Sequence, residues 1–344
     1  MVMKILYGLS GDGFGHSSRA RTIIPHLEKK GHKVKVMTYG QAIDVLKKYN
    51  PFPIGGMRIE FENGKVKKRD TIKNSFTKFS SNIKKNKEIH RYMKNDFDLV
   101  ISDMEPLVAI LSFWYKIPLL CLDNQHRLTN LKLKIPSKYK KDYYIAKYVT
   151  KTFVSKANWY VITSFSKGII KDRYKKNTFV IPPIVRDKIT KLKPNEGNHI
   201  LVYLTRKDQK VLSTLKKINQ KFVIYGYDIE KKDENLIFHK AGDRFLKDLS
   251  SCKAIIATAG FTLISEAIYL KKPYLAFPLK GQFEQVLNAL FLKKSGFGDY
   301  FEKINKGIIE DFIKNCAIYK MKLQKYNPDY NALYKVLDKL IKSN

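Results

Sequence analysis

ATAGFTLISEAIYLKKPYLAFPLKGQFEQVLNA, residues Ala257 to Ala289, sets strand, turn and helix signals in immediate succession. Ala254 to Thr258 is a short apolar strand, Ala259-Gly260 a turn, and Phe261 to Leu270 a helical run. The first turn of such a helix leaves the N–H groups of Phe261, Thr262 and Leu263 without intrahelical acceptors. With the helix dipole behind them, they make an anion site. Glu266, one turn on, is placed to accept hydrogen bonds from ribose hydroxyls. After a strand from Pro273 to Phe277, the loop Pro278 to Gln282 opens a second helix carrying Glu284, Gln285 and Asn288. Polar groups at a strand's carboxyl end mark a binding crevice. The plainer alternative is an ordinary strand-loop-helix unit in which Glu266 and Glu284 are solvated and Gly260 only turns the chain.

The same alternation runs through the whole chain, which predicts an α/β fold of doubly wound parallel-sheet domains. Strands are expected at Lys4 to Leu9, Lys33 to Thr38, Asp98 to Ser102, Pro118 to Leu122, Trp159 to Ile162 and Thr178 to Ile181. A second series covers Ile200 to Leu204, Phe222 to Tyr225, Leu236 to Phe238, Ala254 to Thr258 and Tyr274 to Phe277. The expected division is an N-terminal domain over 1–183, a linker over 184–197, a C-terminal domain over 198–325 and a terminal helix over 326–344. Tyr330, Leu333, Tyr334, Leu337 and Ile341 recur at helical spacing in that last segment.

Length and composition agree with two packed domains. The 344 residues are 44% hydrophobic, and 66 Lys and Arg against 31 Asp and Glu give a formal charge of +35. Such a balance predicts attraction to polyanions or an anionic membrane surface, or reflects a lysine-rich proteome. From Lys65 to Asn95 the chain is densely basic, with Ile72, Phe76, Phe79 and Ile83 on one helical face. Two uses compete for it: peripheral contact with an anionic membrane, or a helix with one packed and one solvated face. Cys121, Cys252 and Cys316 are too far apart for a disulfide framework or a metal-binding spacing. No secretory layout precedes the first strand, and the apolar run Leu107 to Tyr115 is too short to span a bilayer, so the expectation is a cytoplasmic protein, soluble or peripheral on the inner face of the membrane.

The first strand ends in Gly8-Leu9-Ser10-Gly11-Asp12-Gly13-Phe14-Gly15-His16. His16 falls where a loop becomes a helix N-terminus, a position that favours the neutral imidazole and suits a general base. Its plainer role is packing beside a glycine turn. Asp103, after the third strand, is placed either to orient His16 or to cap the next helix. Asp123-Asn124-Gln125-His126 follows the fourth strand in the same way.

The pattern G-x-T-x-x-S-E from Gly260 to Glu266, followed by P-x-x-x-Q-x-E-Q-x-x-N-A from Pro278 to Ala289, resembles the donor signature of nucleotide-sugar glycosyltransferases, in particular glycosyltransferase family 28 and an uncharacterised archaeal and bacterial branch of it. This resemblance implies the GT-B architecture, two Rossmann-like domains facing a cleft, with a C-terminal helix crossing back to the first domain. It implies an inverting enzyme that moves a hexosyl or N-acetylhexosaminyl group from a nucleoside diphosphate sugar, a UDP-sugar by the same likeness, to an acceptor the sequence leaves open. In that reading His16 is the base and Asp103 its partner, while Gly11, Gly13, Gly15, Asn124 and His126 form the acceptor side. Arg206, Gly242, Phe245, Gly260, Phe261, Thr262, Leu263, Glu266, Glu284, Gln285 and Asn288 hold the donor. Gly242 and Phe245 would read the base, and Arg206 would face the diphosphate. No metal and no separate cofactor is called for.

Departures from the family pattern are visible. Asp12 and Phe14 stand where relatives carry small residues, the Asp123 loop replaces H-E-Q-N, and Tyr203-Leu204-Thr205-Arg206 replaces a glycine-serine loop. Two rival readings remain: a nucleotide-sugar epimerase of the same fold, and a basic nucleic-acid-binding protein. Against the latter, the charge is spread along the chain and no specific nucleic-acid motif stands out.

Overall fold

The computed structural model describes residues 2–12, 14–56, 61–62, 65–66, 86–94, 96–154, 156–205 and 207–342. Gly13, Arg206, Ile72, Phe76, Phe79 and Ile83 lie outside the described residues. The chain forms two compact units, Met1–Ile184 with Asp329–Asn344, and Val185–Pro328.

In the first unit the strands are β1 (Lys4–Leu9), β2 (Lys33–Thr38), β3 (Phe52–Pro53), β4 (Phe61–Glu62), β5 (Lys65–Val66), β6 (Leu99–Asp103), β7 (Leu119–Asp123), β8 (Leu131–Lys132), β9 (Trp159–Thr163), β10 (Ile169–Ile170) and β11 (Thr178–Ile181). Seven of them form one sheet in the order β11-β9-β7-β6-β1-β2-β3, every pair parallel. Such sheets are covered on both faces, which is why their strands read as unbroken apolar runs. Ile5, Tyr7 and Leu9 of β1 join one buried cluster with Ile23, Ile24 and Leu27 of the helix Phe14–Lys29. Leu6 points the other way, into a cluster with Val100, Val108 and Leu111.

The second unit contains β12 (His199–Tyr203), β13 (Lys221–Tyr225), β14 (Lys231–Asp233), β15 (Leu236–Phe238), β16 (Ala254–Thr258), β17 (Tyr274–Phe277) and β18 (Gly298–Tyr300). Their order is β14-β15-β13-β12-β16-β17-β18, parallel throughout except for the edge strand β14. Both sheets are therefore doubly wound. In each, the order reverses beside the unit's first strand, between β1 and β6 and between β12 and β16. The crevice for a ligand opens at the carboxyl ends of strands at such a reversal.

The helix Ala332–Lys342 packs within the first unit, burying Leu333, Leu337, Leu340 and Ile341 in the β1 cluster. Each such side chain contributes roughly 1.5–3 kcal/mol relative to exposure. Asp338 on its polar side accepts from His26 Nε2 at 2.8 Å, and Tyr334 stacks on the His26 ring at 4.3 Å. Residues 185–197, read from sequence as a linker, belong to the second unit. The reason is a network of polar ties: Asn195 N and Gly197 N donate to Ser250 O and Ser251 O, and buried Lys272 donates to the carbonyls of Asn195 and Cys252.

Candidate active site

At the carboxyl ends of β1 and β6, the register places Leu9 opposite Asp103. The loop leaves β1 through Ser10, whose N–H donates to Asp103 O at 3.0 Å, and Gly11. A Cβ on Gly11 would meet Tyr39 O at 1.7 Å, so only glycine lets the loop pass the backbone of residue 39. The helix Phe14–Lys29 then begins, with Gly15 and His16 in its first turn.

His16 Nδ1 lies 2.7 Å from Asp103 Oδ1. Arg19, one helical turn on and so on the same face, donates through Nε and Nη2 to both Asp103 oxygens at 2.7 and 2.6 Å. Asp103 is fully buried and His16 keeps 15% of its side chain exposed. Burial alone would raise the Asp103 carboxyl, but the Arg19 guanidinium and then His16 outweigh it and hold the group below the usual carboxylate range. An ionised carboxylate only accepts hydrogen bonds, so the 2.7 Å contact calls for the proton on His16 Nδ1, which also lies 3.1 Å from Arg19 Nη2. In the neutral ring that leaves the lone pair on Nε2, the tautomer a general base needs.

Asp103 does not cap the next helix. That role falls to Glu105, whose carboxylate accepts from Val108 N at 2.8 Å at the start of the helix Pro106–Trp114. Burial pushes the Glu105 carboxyl up to about 7, against the backbone bonds that lower it.

Asn124 and His126, at the end of β7, are both buried. His126 Nδ1 lies 2.7 Å from Asp123 Oδ2, and Cys121 Sγ donates to the same oxygen at 3.0 Å. These three metal-capable side chains lie within 4.8 Å of one another, a grouping the sequence spacing does not announce. Hydrogen bonds through His126 Nδ1 and Asp123 Oδ2 join the three, while the buried His126 Nε2 has no partner among the described residues, and burial, then Asp123, keeps the thiol protonated by raising it far above its ordinary value. The triplet Asp96-Phe97-Asp98, the D-x-D spacing that elsewhere can hold a divalent cation, precedes β6 and so lies at the amino ends of the strands, opposite to His16. Asp98 there accepts from Lys4 N at 2.7 Å.

In the second unit the corresponding reversal is built by β12 and β16. Gly260 follows β16 as the N-cap of the helix Phe261–Tyr269, with ordinary extended angles and no side-chain cap. The first helical bond runs from Ile264 N to Gly260 O at 3.1 Å, so the amides of Thr262 and Leu263 precede the ladder. A Cβ added to Gly260 would meet nothing within 4 Å. Neither backbone angle nor the chain's own packing therefore demands glycine here, whereas the close approach of a bound group would.

Glu266 is 2% exposed and is gripped by Arg186, whose Nε and Nη2 donate to its two oxygens at 2.5 and 2.8 Å. Burial raises the Glu266 carboxyl and Arg186 partly offsets this. Arg186 was not singled out by the sequence, because nothing about residues 182–186 marks the arginine as a partner of a residue 80 positions on. Asn288, buried, donates to Ala259 O at 3.0 Å and so braces the turn before Gly260. Gln285 accepts from Leu279 N at 3.0 Å, tying down the loop between β17 and the helix Phe283–Ser295. Glu284 is half-buried in the first turn of that helix. Gly242, exposed, precedes the helix Asp243–Ser251, and Phe245 packs edge-on against Tyr225 with centroids 5.0 Å apart. Each set of residues thus gathers at the carboxyl ends of its own unit's strands.

Comparison with known proteins adds the family. A model described as glycosyl transferase family 1 matches residues 3–317. An uncharacterised glycosyltransferase of Methanosarcina mazei is 23% identical across 98% of this chain and 95% of its own length. One from Methanosarcina acetivorans is 23% identical across 86% and 85%. Among solved structures, Phytolacca americana UGT2 complexed with UDP-2-fluoro-glucose and pterostilbene superposes with a TM-score of 0.69 at 11% identity, covering 98% of this chain and 99% of that one. CalG4, the calicheamicin glycosyltransferase, does so with 0.64 at 13%, covering 94% and 93%. These structures share the GT-B fold. The likeness to family 28 is not confirmed by the family match.

Proposed function

The chain belongs to glycosyl transferase family 1, and we propose that it moves a sugar from a nucleoside diphosphate donor to an acceptor hydroxyl by a single inverting displacement. The observation that carries this reading is the His16–Asp103 pair held by Arg19. Asp103 fixes the imidazole with its Nε2 lone pair available, and Nε2 takes the proton of the acceptor hydroxyl as its oxygen attacks the anomeric carbon. The bond from that carbon to the diphosphate breaks on the opposite face. Negative charge then develops on the departing phosphate oxygen, where the N-terminus of the helix Phe261–Tyr269 supplies backbone donors.

Glu284 and Gln285 serve the sugar hydroxyls in this scheme, Glu266 the ribose, and Gly242 with Phe245 the base. The Arg186 side chain already on Glu266 both orients that carboxylate and brings a cation to the diphosphate mouth. Uridine as the base rests on the family 28 likeness, and on the UDP-sugar held by the Phytolacca structure. A nucleotide-sugar epimerase is not favoured, since the matched family is one of transferases.

Titration of UDP-, GDP-, dTDP- and CMP-sugars by calorimetry tests the donor assignment. One UDP-sugar is expected to bind and to release UDP on incubation with acceptor mixtures. Binding of none, or turnover of the donor to a free epimer, would overturn the reading.

A further inference from the structure

The first unit exposes an apolar face that the transfer reaction does not use. Phe113 and Trp114, at the end of the helix Pro106–Trp114, are 81% and 67% exposed. On the neighbouring helix Lys140–Phe153, Tyr144 and Tyr148 are 60% and 70% exposed, with Ile145 and Val149 beside them. Positions 144, 145, 148 and 149 make one stripe on that helix, and soluble proteins seldom leave such stripes bare.

The surrounding charge identifies what would cover it. Residues 131–156 contain eight lysines and a single acid, Asp142. Lys147 Nζ lies 5.5 and 5.8 Å from the ring centroids of Tyr143 and Tyr144, so cation and aromatic ring are presented together. Aromatic rings with a polar tip, interleaved with lysines whose stems are apolar, suit the boundary between lipid headgroups and acyl chains. Among the described residues no helix is long and apolar enough to cross a membrane, which leaves attachment at the surface.

We propose that the exposed faces of the helices Pro106–Trp114 and Lys140–Phe153 dock the protein on an anionic lipid bilayer, the aromatics entering the interface and the lysines pairing with anionic headgroups. These residues are other than the basic stretch over 65–95 to which the sequence first points. Such docking goes beyond the transfer reading and does not depend on it, because the test requires neither donor nor acceptor.

The test is co-flotation of the full chain with vesicles of phosphatidylcholine alone or mixed with phosphatidylglycerol, alongside the tryptophan emission spectrum. Wild type is expected to float with the mixed vesicles and to show a blue shift that Trp114→Phe loses. The Trp114→Ala/Tyr148→Ala double variant should fold with unchanged thermal unfolding yet bind the mixed vesicles at least about tenfold more weakly. Lys140→Glu/Lys141→Glu should weaken binding to mixed vesicles only. Equal binding by wild type and the double variant would show that general charge alone holds the protein, and would overturn the proposal. So would failure of wild type to bind either vesicle, or a wild-type dimer in solution that the double variant abolishes.

Discussion

Asp103 Oδ1 stands 2.7 Å from His16 Nδ1, and the same carboxylate receives the fork of Arg19, so one buried anion both orients the imidazole and is itself kept ionised. Replacing Asp103 by Asn keeps the shape but lets the ring adopt the other tautomer. Turnover by Asp103→Asn is expected to fall on the order of 10²- to 10⁴-fold while donor affinity, measured by calorimetry, stays within about twofold. Loss of affinity in step with turnover would remove the orienting role.

Arg19 neutralises a carboxylate that water does not reach. Arg19→Met takes the guanidinium from that buried charge and leaves it only its hydrogen bond with His16, which costs about 3–5 kcal/mol in urea unfolding at neutral pH. The sign with pH follows from the depressed Asp103 carboxyl. Its stabilisation is present above the unfolded carboxylate range and is lost as pH falls through the folded value. The gap between wild type and Arg19→Met should therefore narrow in acid, and a gap that widens would contradict the pairing.

Glu105 behaves in the opposite sense. Its carboxyl is pushed up to about 7 by burial, so the folded state binds the proton more tightly than the unfolded chain does. Stability from this group is complete below about pH 4.5 and declines as pH rises through 7, by up to about 3 kcal/mol. Glu105→Gln, which keeps an acceptor for Val108 N, should flatten that decline. Urea unfolding at several pH values from 4.5 to 8 checks it, and identical slopes in the two proteins would count against it.

Gly260 has open space where a side chain would stand. Gly260→Ala should unfold within about 1 kcal/mol of wild type, since its backbone angles are ordinary. Nucleoside diphosphate affinity should fall at least about tenfold, or roughly 1.4 kcal/mol. Unchanged affinity would move the donor phosphates away from this turn.

Much of the fold was legible because the central strands are buried on both faces and read as apolar runs: the eleven expected strands from Lys4 to Phe277 appear within a residue or two. Strands such as Phe52–Pro53 and Gly298–Tyr300 escaped, being two or three residues long and held by their neighbours rather than by their own pattern. The helix starting at Phe14 begins two residues before His16, where the sequence places the change from loop to helix, since a glycine-rich loop carries no apolar period to mark its first turn. At the site, His16 and Asp103 could be named from their strand ends, but Arg19 and Arg186 could not. Both are arginines whose partners, 84 and 80 positions away, meet them only through the fold. For Arg19 a usable signal existed: its place one turn after His16 puts it on the same helix face. The trio of Cys121, Asp123 and His126 shows the converse, residues close in sequence whose common burial no spacing rule reveals.

The most direct test of the central claim is to compare wild type with His16→Ala for transfer from the UDP-sugar that binds, once an acceptor is found, while measuring donor affinity in both. If His16 is the base, turnover falls by at least about 10²-fold with donor affinity preserved. Near-normal turnover by a variant that still binds the donor would contradict it.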